Sequence, residues 1–160
     1  MPQVIEGQFD AQDFTFAIVA ARWNSIFAEQ LINGAVDTLV RHGADDDAIT
    51  VLRCPGSFEL PQLAARVADQ LDVDAIICLG VLIRGATPHF DYIAAEAAKG
   101  IGAVATESDL PVSFGVITCD TLEQAVERSG SKAGNKGAEA AMAALEMVSL
   151  YESIDELSDD

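Results

Sequence analysis

Four apolar runs rich in β-branched residues punctuate the chain about every thirty residues: Phe14 to Ala20, Ile49 to Arg53, Ala75 to Ile83 and Val112 to Thr118. Each reads as a buried strand, and each is followed by a segment whose apolar positions repeat at helical spacing. In Asn24 to His42, Phe27, Leu31, Ile32, Ala35, Val36, Leu39 and Val40 mark one helical face, and Gly43 supplies the stop. A second helix is expected from Ser57, read as its N-cap, to about Leu71; Pro61 is harmless there because first-turn amides have no intrahelical partner. A third opens at Thr87-Pro88, a capping hydroxyl followed by proline at the first helical position, and runs to near Thr106. A fourth spans Asp120-Thr121 to Gly130, and a fifth Asn135 to Glu152.

Strand and helix in alternation build parallel sheets joined by right-handed crossovers. The predicted architecture is an α/β three-layer sandwich: one four-stranded parallel sheet of flavodoxin-like order 2-1-3-4, with helices on both faces. Residues 1–160 read as a single domain. Within it, residues 1–12 form an extended N-terminal arm too short and polar to pack alone, and residues 151–160 an acidic, frayed tail.

Composition narrows the function. Half of the 160 residues are hydrophobic, enough for a core without disulfides or structural metal. Nine Lys and Arg against 26 Asp and Glu give a net charge of −17, a field that repels nucleic-acid backbones and anionic membrane surfaces; neither is an expected partner. The three cysteines, Cys54, Cys78 and Cys119, are odd in number and scattered, as suits a reducing cytosol. No apolar run approaches the roughly 20 residues of a membrane-spanning helix. The start, MPQVIEGQFD, carries acids where a secretory leader would be basic and then apolar, so a mature cytoplasmic chain is expected.

Ligands of parallel α/β sheets gather beyond the carboxyl ends of the strands, which directs attention to four turns: AARWNS (20–25), CPGSFELP (54–61), VLIRGATPHFDYI (81–93) and ITCDTLEQ (117–124). The third is the richest. Gly85 lets backbone approach a ligand, and Thr87 and Pro88 begin a helix whose free amides make an anion cradle. His89, in that helix's first turn, lies where the positive dipole end favours a neutral imidazole able to take a proton; the plainer alternative is a surface residue. His42, between Arg41 and Gly43, reads as a helix C-cap. Arg128, Lys132 and Lys136 make up a third of all the basic residues within nine positions, an arginine suited to phosphate oxygens with two flexible ammonium groups. Against that, Arg128 can complement a helix C-terminus, and Lys136 can pair with Glu139. Trp23, Phe58 and Phe114 offer faces to a flat heterocycle, although Phe114 inside VSFGVI reads first as core. Ser57 lacks a GxSxG elbow and reads as a cap, not a nucleophile, while the Glu59 carboxylate can accept a hydrogen bond from a ligand amide or hydroxyl. Metal-ligand spacing, GxGxxG and the Walker glycine motif are all missing from the sequence.

Taken together, CPGSFELP, GVLIRGATPHFDYI, PVSFGVIT and ERSGSKAGNKGAEAA closely resemble the 6,7-dimethyl-8-ribityllumazine synthase family, over about Phe14 to Leu150. The resemblance implies condensation of 5-amino-6-(D-ribitylamino)uracil with 3,4-dihydroxy-2-butanone 4-phosphate, without cofactor or metal. It implies that Trp23 stacks on the pyrimidine, that Ser57, Phe58 and Glu59 hold the ribityl chain, and that Val81, Leu82 and Ile83 line the pyrimidine pocket. Gly85, Ala86, Thr87 and Arg128 would take the phosphate, and His89 would transfer protons. Phe114, Arg128 and Lys136 would face a pocket completed by an adjacent subunit. Pentamers, and for sequences like GSKAGNKG a 60-subunit icosahedral shell with riboflavin synthase as a cargo, are implied in the same way, with Val4 to Phe9 extending a neighbour's sheet. Two other readings predict different chemistry: an archaeal-type riboflavin synthase, and a flavodoxin-like signalling or flavin-binding module. A phospho-receiver needs acids where Arg22 and Arg84 stand.

Overall fold

The computed structural model describes residues 1–131 and 134–160. Its sheet comprises β1 (Phe16–Ala21), β2 (Ile49–Cys54), β3 (Ala75–Ile83) and β4 (Val112–Cys119), all parallel and ordered β2-β1-β3-β4, the predicted topology. Helices α1 (Ser25–Arg41), α4 (Leu122–Arg128) and α5 (Lys136–Ser158) pack on one face, and α2 (Leu60–Gln70) and α3 (His89–Glu107) on the other.

Alternation along β1 feeds both layers. Phe16, Ile18 and Ala20 join Leu31, Leu39, Ile77, Leu79 and Leu145 on the α1/α5 side, while Ala17, Val19 and Ala21 meet Leu60, Val67, Ile76 and Ile101 on the α2/α3 side. Every residue of β1 is buried, as expected of a central parallel strand. β2 and β4, at the two edges, each leave some residues exposed. Where α5 crosses α1 the backbones nearly touch: a Cβ on Gly137 would lie 2.0 Å from the Leu31 carbonyl oxygen.

Three expected boundaries move. Ser57 does not cap α2: residues Ser57–Glu59 make a single 3-10 turn, the Glu59 amide donates to the Gly56 carbonyl, and α2 begins at Leu60. The Ser57 side chain is instead buried against β3, where a Cβ on Gly80 would sit 2.8 Å from its Oγ. Thr87 likewise makes no cap bond. α3 starts at His89 because Pro88, at φ −71° and ψ 2°, is not yet helical, and the residue before a proline is itself driven from the helical region. The fifth helix does not stop near Glu152. Leu150, Tyr151, Ile154 and Leu157 carry the three-and-four spacing through the acidic stretch, so the segment expected to fray is helical to Ser158.

The N-terminal arm forms no strand, but it is tethered. Ser149 Oγ accepts from the Gln8 amide (2.5 Å) and donates to the Gln8 carbonyl (3.0 Å), and the Ala11 amide donates to the His42 carbonyl (2.8 Å). His42 is the C-cap of α1, its Nδ1–H donating to the Thr38 carbonyl at 2.6 Å. Among the described residues no helix is long and apolar enough to cross a membrane.

Candidate active site

The strand order sets the turns at the carboxyl edge of the sheet side by side, with the turn after β1 between those after β2 and β3. Asn24 anchors the first. It adopts the left-handed conformation (φ 60°, ψ 49°), which asparagine tolerates better than most side chains, and its Nδ2 donates to the Val81 carbonyl at 2.9 Å. The Arg22 amide donates to the Cys54 carbonyl on the other side (2.9 Å). Held at both flanks, the turn thrusts Trp23 outward, 72% exposed. The sequence placed Asn24 at a helix start; its tie to β3 had no local signal.

Trp23 nevertheless has a neighbour. A Cβ on Gly56 would lie 3.1 Å from Trp23 Cδ1, 3.5 Å from its Nε1 and 3.3 Å from Glu59 Oε2. The indole edge and the carboxylate therefore converge on one glycine, leaving an aromatic face beside a hydrogen-bond acceptor. Glu59 also adds to burial in raising the Cys54 thiol above its ordinary pKa. Phe58 projects from the same turn, about half exposed. Asn24→Ala is expected to cost about 1–3 kcal/mol through the strained left-handed backbone and the lost bond to Val81, measured as a fall in urea midpoint at constant slope.

At the end of β3, Val81 is buried in the α1/α5 layer and contributes to the turn through its carbonyl, whereas Leu82 and Ile83 are half-buried at the tip. Gly85, Ala86, Thr87 and His89 are exposed. Gly85 has open space where a Cβ would stand, so a ligand can approach that backbone. Arg84 folds over the same turn: its Nη1 donates to Asp91 (2.9 Å) and its Nε to Asp120 (2.8 Å), with the guanidinium carbon 4.5 Å from the Phe90 ring centroid.

Phe114, Arg128 and Lys136 lie apart from this group. Phe114 is not core: at mid-strand on β4, paired with Cys78, it is 47% exposed because among the described residues β4 is an edge of the sheet. Arg128 ends α4 and donates to the Gln124 carbonyl at 3.2 Å, while Lys136 opens α5 and pairs with Glu139 at 3.2 Å. An isolated bridge between Ser129 and Asn135 closes the hinge, so the two cations leave it from neighbouring points. Asn135 fixes that hinge, accepting from the Ala138 amide and donating to the Gln30 carbonyl. Lys132, the third cation of the cluster, lies outside the described residues. Arg128 is near enough to Cys119 to offset part of the rise that burial imposes on its thiol.

Among the described residues, one cavity of about 390 Å³ lies at the opposite end of the sheet, between Phe14, Asp74, Leu110 and Tyr151, one of about 470 Å³ lies beside the hinge between Phe9, Asn135, Glu139 and Glu146, and one of about 190 Å³ runs under the β4 edge past Phe114 and Met147. Trp23, Phe58, Gly85, Ala86, Thr87 and His89 are all exposed, so the strand ends present an open floor. Among the described residues, no group of three or more His, Cys, Asp and Glu is placed to hold a metal ion.

The family model described as 6,7-dimethyl-8-ribityllumazine synthase matches residues 13–152. A curated relative of that description from Chlorobium limicola (strain DSM 245 / NBRC 103803 / 6330) is 56% identical over 147 residues, spanning 92% of this chain and 95% of its own length.

Proposed function

The chain belongs to the 6,7-dimethyl-8-ribityllumazine synthase family, and from that premise we propose how its strand-end turns and sheet-edge residues divide the work. The enzyme condenses 5-amino-6-(D-ribitylamino)uracil with 3,4-dihydroxy-2-butanone 4-phosphate to 6,7-dimethyl-8-ribityllumazine, with loss of phosphate and water, a step of riboflavin biosynthesis.

Trp23 stacks on the uracil, Phe58 and Glu59, with Ser57 through its backbone, hold the ribityl chain, and Val81, through its backbone, with Leu82 and Ile83 borders the ring. Gly85, Ala86 and Thr87 receive the phosphate at the start of α3. The uracil amine attacks the ketone carbon, and His89 carries protons as water leaves to give the imine and as the phosphate C–O bond breaks. Holding two small reactants in register replaces much of the entropy of a bimolecular encounter. Arg128, with Lys136 beside it, meets the charge that develops on the departing phosphate.

The observation that carries this reading is the division of the candidates into two sets. An open floor holds an aromatic face, a carboxylate and a helix start, while a second aromatic and two cations sit at the β4 border. Two chains apposed floor to border make one complete site, so a monomer is inactive. Exposed Trp23, Ile26, Phe58, Phe114, Leu122 and Val126 give such contacts apolar area to bury. The assembly is a cytoplasmic pentamer, and twelve pentamers close into a 60-subunit shell that can enclose riboflavin synthase. Chains of charge −17 repel one another, so light scattering should record the shell growing at the expense of pentamers as salt rises. A pentamer at every salt concentration refutes the shell.

The decisive assay supplies both precursors and records lumazine fluorescence. Arg128→Ala should raise KM for the butanone phosphate by about 10- to 100-fold, the loss of a charge-assisted phosphate contact, while KM for the uracil stays close to wild type. Wild-type kinetics in that variant would remove Arg128 from the phosphate site.

A further inference from the structure

The loop that carries the proposed phosphate contacts has little of its own to hold it. Gly85, Ala86 and Thr87 are exposed, and none of them appears in a hydrogen bond among those of the described residues. What spans the loop is Arg84. Its amide donates to the Cys119 carbonyl (2.9 Å), prolonging the β3–β4 ladder one residue beyond the strands. Its side chain then turns forward onto the first turn of α3, across Phe90 to Asp91, and sideways to Asp120 in the turn after β4. A closed ring of covalent and hydrogen bonds results, running from Arg84 through the loop and His89 to Asp91 and back to Arg84. A second arm ties that ring to the turn from which α4 and Arg128 follow.

We propose that Arg84 is a positioning residue for this reaction: by bridging Asp91 and Asp120 it sets the β3–α3 loop and His89 relative to the β4–α4 turn. The proposal rests on the reading of the loop as the phosphate site. A planar guanidinium suits the task because its fork addresses two carboxylates in fixed directions while its face rests on Phe90, which an ammonium cannot do. The hydrogen bonds it donates to Asp120 and then Asp91 raise the Arg84 pKa still further, so the fork stays charged throughout the working pH range. All three side chains are substantially exposed, and exposed ion pairs contribute little to global stability. The bridge therefore acts on where the loop stands and hardly on whether the chain folds. Errors of about 1 Å in such placement are enough to cost on the order of 10²-fold in rate.

Arg84→Gln, Arg84→Lys and Asp91→Ala, assayed as the assembled enzyme beside His89→Ala and Arg128→Ala, test this. Arg84→Gln should leave the melting temperature in place yet raise KM for the butanone phosphate and lower kcat, together by about 10- to 100-fold in kcat/KM, with KM for the uracil unaffected. Arg84→Lys should restore little of the loss, and Asp91→Ala combined with Arg84→Gln should do no more harm than Arg84→Gln alone. Wild-type kinetics in Arg84→Gln, or full recovery in Arg84→Lys, overturns the positioning role while leaving the site assignment intact. Wild-type kinetics in His89→Ala and Arg128→Ala would instead overturn the site assignment itself.

Discussion

His89→Ala is expected to lower kcat about 10²- to 10⁴-fold, the usual worth of a positioned proton-transfer group, while the enzyme binds inorganic phosphate as before. The imidazole stands exposed at the first residue of α3 and takes no part in either apolar layer. Its removal should therefore leave the melting temperature within the small range typical of surface substitutions. Loss of rate at constant stability separates chemistry from folding. The residual rate should still exceed that of the free reactants in water, because approximation of the two substrates survives the substitution. Steady-state kinetics with competing phosphate checks both halves; an unchanged kcat would strip His89 of proton transfer.

The largest structural effect is expected at Gly137. A methyl group there would sit 2.0 Å from the Leu31 oxygen and 2.6 Å from its carbonyl carbon, both backbone atoms that no rotamer change can move. Gly137→Ala must separate α1 from α5, opening the layer that contains Leu31, Ala35, Ala141 and Leu145. A cost of about 3 kcal/mol or more follows from overpacking against a rigid partner. Chemical denaturation should show it directly, with Gly102→Ala as the control, since a Cβ on Gly102 meets open space. An unshifted midpoint in Gly137→Ala would mean that the two helices are less closely apposed than they stand here. Because Lys136 and the Asn135 hinge open the same helix, the variant should also weaken phosphate binding.

The sheet was legible because two periodicities carried it. β3 begins and ends where its apolar run does, and the order of the strands is the one a flavodoxin-like winding gives. Sequence patterns were weaker where tertiary contacts decide. Ser57 and Thr87 have the composition of caps, yet one is drawn into the core by β3 and the other is held out of the helix by Pro88. Phe114 sits in an apolar run and still reaches solvent, because a run does not say which strand is an edge. The relevant turns could be found without the structure, since strand ends follow from strands. The bridge from Arg84 to Asp120 joins residues 36 positions apart, a pairing that no local pattern encodes.

The two apolar layers differ in depth where they meet β1. One side receives Phe16, Ile18 and Ala20, the other Ala17, Val19 and Ala21. Sliding β1 by a single position would drive a benzyl group into a space shaped for methyls and leave a void opposite, so only one alignment with β2 and β3 is admissible. The bulk of Phe16 thus dictates where the indole of Trp23 emerges, seven positions downstream. Trimming Phe16 is expected to blur substrate recognition at a distance, through slippage of the strand that carries it.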